Sequence, residues 1–178
     1  SIQNFSFRKL IKNTADLNQV SLLASYAAQQ ESKSLNYERQ QLKKLINKKI
    51  DLIRFNYGLL TASLGYYNLL DQEIQKDYSM GYSNEVGYRA STAVPFYFYD
   101  LNNELQTSLK IYPVVADETG QRKFSNQEAF KKLIDLYENL PTSSAFHGVS
   151  FSNSILHADE MKNIWRDQFI NYLQYHAR

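Results

Sequence analysis

From residue 42 to residue 78 the apolar positions recur at steps of four and three. Ile46, Ile50, Ile53, Tyr57, Leu60, Leu64 and Tyr67 fall on one row, which Asp71 interrupts before Ile74 and Tyr78. That spacing predicts a single long helix. A second row, Leu45, Leu52, Leu59 and Tyr66, and a third, Phe55, Ala62 and Leu69, widen the apolar surface, with Lys49, Asn56 and Ser63 as a polar line between the first two rows. A helix with two apolar faces needs two neighbours. Unbroken, it would extend roughly 55 Å at 1.5 Å per residue. Gly58 and Gly65 each weaken a helix interior by about 1 kcal/mol relative to alanine. They mark either a kink or, together with Ala62, a close approach of another backbone, and close approach is favoured.

Residues 5–31 place Phe7, Leu10, Leu17, Val20, Ala24, Ala27 and Ala28 at helical spacing, with a break expected at Asn13 or Thr14. The small residues of 21–28 suit close packing against the long helix. The polar stretch 30–36 supplies the reversal that makes the two a hairpin, although it holds no glycine or proline and a continuous helix through it is the alternative. Beyond Gly81 and Gly87 the pattern changes. Residues 90–100 are β-branched and aromatic, with Pro95 restricting them to a strand start or an edge. Residues 104–116 alternate as a partner strand across a turn at 101–103, and 117–120 reads as a further turn. Ser125 and Glu128 form a capping box for a helix carrying Phe130, Leu133, Ile134 and Tyr137, which Pro141 stops. A short strand is expected within 146–151. A last helix over 155–176 shows Ala158, Met161, Trp165, Phe169 and Tyr172 on one face.

Helices followed by strands, without strict alternation, argue for an α+β fold and against a parallel doubly wound sheet. The expected architecture is predominantly helical: a long antiparallel helical hairpin (1–79), then a lobe (80–178) with a small antiparallel sheet of three or four strands and a C-terminal helix packed back on the hairpin. At 178 residues this is one domain.

Charge adds little to this picture. The net charge of +2 gives no footprint for nucleic acid. The basic run Arg39, Lys43, Lys44, Lys48, Lys49 and Arg54 spreads around the predicted helix and is diluted by Glu38 and Asp51, which fits a solvated hairpin tip. With no cysteine there are no disulfides and no thiolate chemistry. The longest uncharged stretch, 55–70, falls short of the roughly 20 residues that span a bilayer.

Candidate chemistry is sparse. His157, Asp159 and Glu160 do not converge on a helix, and acids at a helix start are expected from the dipole, so no metal site is assigned. Ser150 follows His147 but lies in no nucleophile turn. The glycines form no phosphate loop, and Glu85 and Asp100 merely flank the first strand. No cofactor is expected. Tyrosine is the anomaly: eight of the fourteen, Tyr57, Tyr66, Tyr67, Tyr78, Tyr82, Tyr88, Tyr97 and Tyr99, lie between residues 57 and 99. With an apolar body and a polar tip, tyrosine suits interfaces and semi-polar pockets. Tyr78, Tyr82, Tyr88 and Tyr99, with His147, are therefore the candidate ligand-binding residues. Tyr57, Leu60, Leu64, Tyr67, Trp165 and Phe169 are the candidate interface.

The chain starts at Ser1 and is helical at both predicted ends, as a piece from between two membrane-anchoring segments would be. The functional expectation is a non-enzymatic extracytoplasmic sensory or protein-interaction module, with the membrane reached only through segments outside this chain. The alternative is an assembly subunit, of phage, viral or secretion type, whose long helix packs against other copies. An enzyme with a site at the tyrosine-rich helix–sheet junction is the weaker alternative. The partners expected are a protein or a second copy along the long helix and a small ligand.

Overall fold

The computed structural model describes residues 4–56, 62–117, 126–141, 144–152 and 160–177. The chain divides into two compact units, the first Ser1–Ser79 with Phe96–Ile111, the second Met80–Pro95 with Tyr112–Arg178.

The first unit opens with α1 (Phe5–Leu17), whose N-cap Asn4 accepts a hydrogen bond from the Phe7 amide. Strand β1 (Leu22–Ala24) leads into α2 (Tyr26–Gln30), capped by Ser25, and then α3 (Ser32–Ile46). Next come β2 (Leu52–Phe55), α4 (Ala62–Asp71), the two-residue β3 (Lys76–Asp77), β4 (Phe96–Asp100) and β5 (Leu105–Ile111). These strands form one sheet in the order β1-β2-β3-β5-β4. Strands β1, β2, β3 and β5 are parallel neighbours, and β4 joins the edge antiparallel to β5. Ala24, Leu35, Ile50, Ile53, Phe55, Leu69, Ile74, Leu109 and Ile111 are the buried centre of this unit.

This architecture corrects the expected helical hairpin and its all-antiparallel sheet: the sheet is mixed, mostly parallel, and no long hairpin forms. The reason lies at Asn47. It takes the left-handed conformation, φ 54°, and its N–H bonds back to the Lys43 carbonyl, which closes α3. After it, Leu52–Phe55 is a short strand, buried at every position but Arg54, rather than helix. A run of that kind satisfies helical spacing and strand burial equally well, so periodicity alone does not separate them. Ile46, Ile50, Ile53 and Ile74 are all core residues, but on a helix end, a loop, a strand and a second loop. Gly58 lies outside the described residues, while Gly65 lies within α4; the single helix expected over 42–78 is replaced by the end of α3, β2, α4 and β3.

In the second unit β6 (Val114–Asp117) pairs parallel to β7 (Gly148–Ser150). Helix α5 (Asn126–Glu138) joins them, and α6 (Glu160–His176) follows β7. Ser125 of the expected capping box lies outside the described residues. Val115, Ala116, Phe130, Leu133 and Tyr172 make a buried cluster, with Phe169 and Phe151 against it. The C-terminal helix is thus spent on the second unit's own core instead of closing a hairpin. Gly81 lets the backbone come close to β6, since a Cβ there would stand 2.8 Å from the Val114 carbonyl oxygen. Among the described residues no helix is long and apolar enough to cross a membrane.

Asn47 gives a direct test of how α3 ends. Asn47→Val, a β-branched side chain forced into the left-handed region, is expected to lower unfolding free energy by about 1–2 kcal/mol, whereas Asn47→Gly stays within a few tenths of wild type. Urea denaturation measures both.

Candidate functional site

Because β1, β2 and β3 run in the same direction, their carboxyl ends gather residues 25, 54–56 and 77–79 along one edge of the first unit. At the end of β1, Ser25 donates its hydroxyl to Glu38 Oε1 at 2.5 Å, while its amide donates to Glu38 Oε2 at 3.0 Å. At the end of β2, the Phe55 amide donates to Ser79 Oγ at 2.8 Å, and an Arg54 guanidinium nitrogen donates to the Tyr78 carbonyl at 2.8 Å. The chain leaving β3 is thereby held against β2.

Asp77 sits under this knot. The register sets it opposite Ile53 of β2 and Ile111 of β5, so a carboxylate lies in a layer of aliphatic side chains and is wholly inaccessible to solvent. Its Oδ1 accepts the Ser79 amide at 3.0 Å and the Ser79 hydroxyl at 2.5 Å, a tight turn of the kind Asp makes with its own backbone. Its Oδ2 has no hydrogen-bond partner among the described residues. Burial pushes the Asp77 carboxyl up to about 6, against the opposing pull of the Ser79 bonds and the Arg54 charge. A half-satisfied buried carboxyl that changes protonation near neutrality, at the carboxyl end of a central parallel strand, is where functional chemistry is expected.

A second polar cluster lies in the second unit. His147, just before β7, has Nε2 3.0 Å from the Tyr172 hydroxyl and Nδ1 3.4 Å from the Tyr88 hydroxyl, which also donates to the Phe146 carbonyl. Burial, and then the neighbouring His176, pull the His147 imidazole down to about 4. It is therefore neutral at neutral pH, and the two tyrosines, pushed up by burial, keep their protons. A cleft of about 400 Å³ between α5 and α6, lined by Phe130, Lys131 and Gln168 among others, reaches Tyr172.

The five candidate ligand residues divide between the two units. Tyr88 and His147 are brought together, and Tyr82 belongs to the same unit with its side chain exposed. Tyr78 and Tyr99 belong to the first unit. Tyr78 serves there through its backbone, and Tyr99 stands half exposed on β4. Of the candidate interface, Tyr57, Leu60 and the Trp165 side chain lie outside the described residues, as does His157. Leu64 is exposed, and Phe169 packs on Phe151 with ring centres 4.6 Å apart. Tyr67 donates to Asp100 Oδ1 at 2.6 Å. Asp100 also accepts from the Asn102 and Asn103 amides and the Asn103 side chain, and these donors, Tyr67 first, hold its carboxyl well below the usual range. That arrangement ties the β4–β5 turn. Among the described residues no group of three or more metal-ligating side chains converges.

Sequence reasoning missed Asp77, Ser79 and Tyr172. A lone acid after a two-residue strand carries no motif, and its importance comes from register alone.

The two clusters give stability of opposite pH dependence. The Asp77 carboxyl is raised in the folded state from its ordinary 3.8, so its contribution is full below 3.8 and is lost as pH rises to about 6. At 1.36 kcal/mol per unit the loss is about 3 kcal/mol. The His147 imidazole is depressed from 6.5, so its contribution is full above 6.5 and is lost as pH falls toward 4. Hydrogen exchange from pH 4 to 7 is expected to show Asp77→Asn gaining on wild type at β2 and β3 as pH rises. His147→Gln is expected to gain at β7 as pH falls.

No protein-family model matches this chain, and no curated protein sequence matches it, so the functional reading rests on the chemistry of the site itself.

Proposed function

We propose that the chain is a ligand-binding module of the sensory class, with its site at the carboxyl ends of β1, β2 and β3. The observation that carries this reading is the buried Asp77 Oδ2 without a partner. An unpaired carboxylate oxygen in an aliphatic layer costs stability that a core residue would not be expected to retain for packing alone. A hydrogen-bond donor supplied from outside offsets that cost. The class of ligand follows: a small molecule presenting a hydroxyl or an ammonium group to Asp77, with Glu38, Arg54 and Asn56 along the same edge as further polar contacts. Asp77 is closed over by the Ser79 turn, so binding is coupled to a local opening of that turn.

The raised Asp77 carboxyl favours a second reading at the same place, general acid–base catalysis on such a ligand. Both readings place the chemistry on one side chain, and neither calls on the two-faced helix on which the assembly-subunit reading depended.

Amide chemical-shift mapping with a set of small amines and alcohols at pH 7 checks the site. Responding compounds are expected to move the amides of Arg54, Asn56, Tyr78 and Ser79, and Asp77→Asn is expected to weaken them at least about tenfold, the loss of one charge-assisted bond. Compounds that leave those amides still, or that bind Asp77→Asn as well as wild type, would sink the proposal.

A further inference from the structure

The last turns of α5 and α6 meet in the second unit, where three tyrosines surround the His176 imidazole, with the His147 ring centre 5.9 Å from it. The His176 ring centre lies 4.4 Å from that of Tyr137, 4.4 Å from that of Tyr172 and 5.3 Å from that of Tyr175, with interplanar angles of 88°, 74° and 90°. Each wall is fixed. The Tyr172 hydroxyl is bonded to His147 Nε2, the Tyr175 hydroxyl donates to Glu138 Oε1, and Tyr137 also stands edge-on to His147 at 5.5 Å. The occupant is not fixed in the same way, because His176 Nε2 has no hydrogen-bond partner among the described residues.

We propose that Tyr137, Tyr172 and Tyr175 form a cage for a methylated ammonium group, and that His176 fills it in the absence of ligand. Aromatic rings that turn their faces to a point within about 6 Å attract a quaternary cation there through the ring quadrupoles. Two further features favour positive charge here. Glu138 places a carboxylate at the rim through its bond to Tyr175. Helices α5 and α6 end at Glu138 and His176, so the negative ends of both helix dipoles converge on the cage. The neutral imidazole makes no use of that field, whereas a permanent cation does. Tyr137 is 42% exposed, which leaves one wall open as a way in. The ligand takes the seat of His176, so the terminal turn of α6 rearranges on binding. This site shares no residue with the Asp77 site and stands or falls separately from it.

Titration with tetramethylammonium, followed by NMR of the full chain at pH 7.5, tests the proposal. In wild type the His176 ring protons are expected to lose the ring-current shift that the three tyrosines impose, as the imidazole leaves. His176→Ala, with the seat emptied, is expected to bind roughly tenfold more tightly. Tyr137→Ala in that background is expected to lose about tenfold. Choline and an N-acetyl trimethyllysine amide, titrated in parallel, distinguish a free small molecule from a modified protein side chain as the source of the same headgroup, and tighter binding of either supports the cage. The uncharged isostere 3,3-dimethylbutan-1-ol is the control. Equal binding of the isostere, or His176→Ala binding no tighter than a wild type whose His176 ring protons do not move, would overturn the assignment.

Discussion

Strand β3 is two residues long, and the first unit depends on its register. The Gln75 and Lys76 amides both donate to the Asp51 carbonyl, the Tyr78 amide donates to the Ile53 carbonyl, and the Lys110 amide donates to the Gln75 carbonyl. Through these bonds β3 joins the parallel pair β1–β2 to the antiparallel pair β4–β5, which otherwise share no sheet. A one-residue slip would exchange the faces of every side chain on β3, turning Asp77 out of the core and Lys76 or Tyr78 into it. The register that completes the sheet is therefore the same one that buries a carboxylate between Ile53 and Ile111. Fold and candidate site are one constraint.

That burial explains the arrangement around it. Ser79 supplies both its amide and its hydroxyl to Oδ1, and the Phe55 amide in turn bonds the Ser79 hydroxyl, so the end of β2 is connected to the carboxylate through a serine. Arg54 adds a charge close enough to lower the Asp77 carboxyl without reversing the effect of burial. The result is a group that stays strained at neutral pH in the absence of another donor. In the second unit the opposite balance holds. His147 and the tyrosines around it are neutral, their polar atoms are largely paired with one another, and burial costs them little.

Part of each unit was legible in the sequence. In the second unit the helix over 126–138, its stop before Pro141 and the core side of the last helix at Phe169 and Tyr172, and in the first unit the antiparallel β4–β5 pair, each follow from local rules that tertiary contacts did not override. The stretch 42–78 behaved differently. Ile46, Ile50, Ile53, Leu69 and Ile74 are buried as expected while Leu64 is exposed, and β2 and β3 are only four and two residues long, too short to leave a period, so the helical spacing ran through them undisturbed. Asn47 was a local signal of the break that ends α3, as asparagine tolerates the left-handed conformation. Read inside a basic, helix-favouring run, it carried no weight.

By itself, the sequence determined many of the positions that reach the core, where the helix over 126–138 stops, and that tyrosine concentrates in the middle of the chain. Hydrophobic transfer and capping act through neighbours in the chain, so they can be read from it. Tertiary structure alone decided the direction of the strands, the isolation of Asp77 Oδ2, and the closing of Tyr137, Tyr172 and Tyr175 around His176. Each of these depends on groups far apart in sequence being held at one place, and the energy of a buried charge or an aromatic cage exists only once water has been removed from around it.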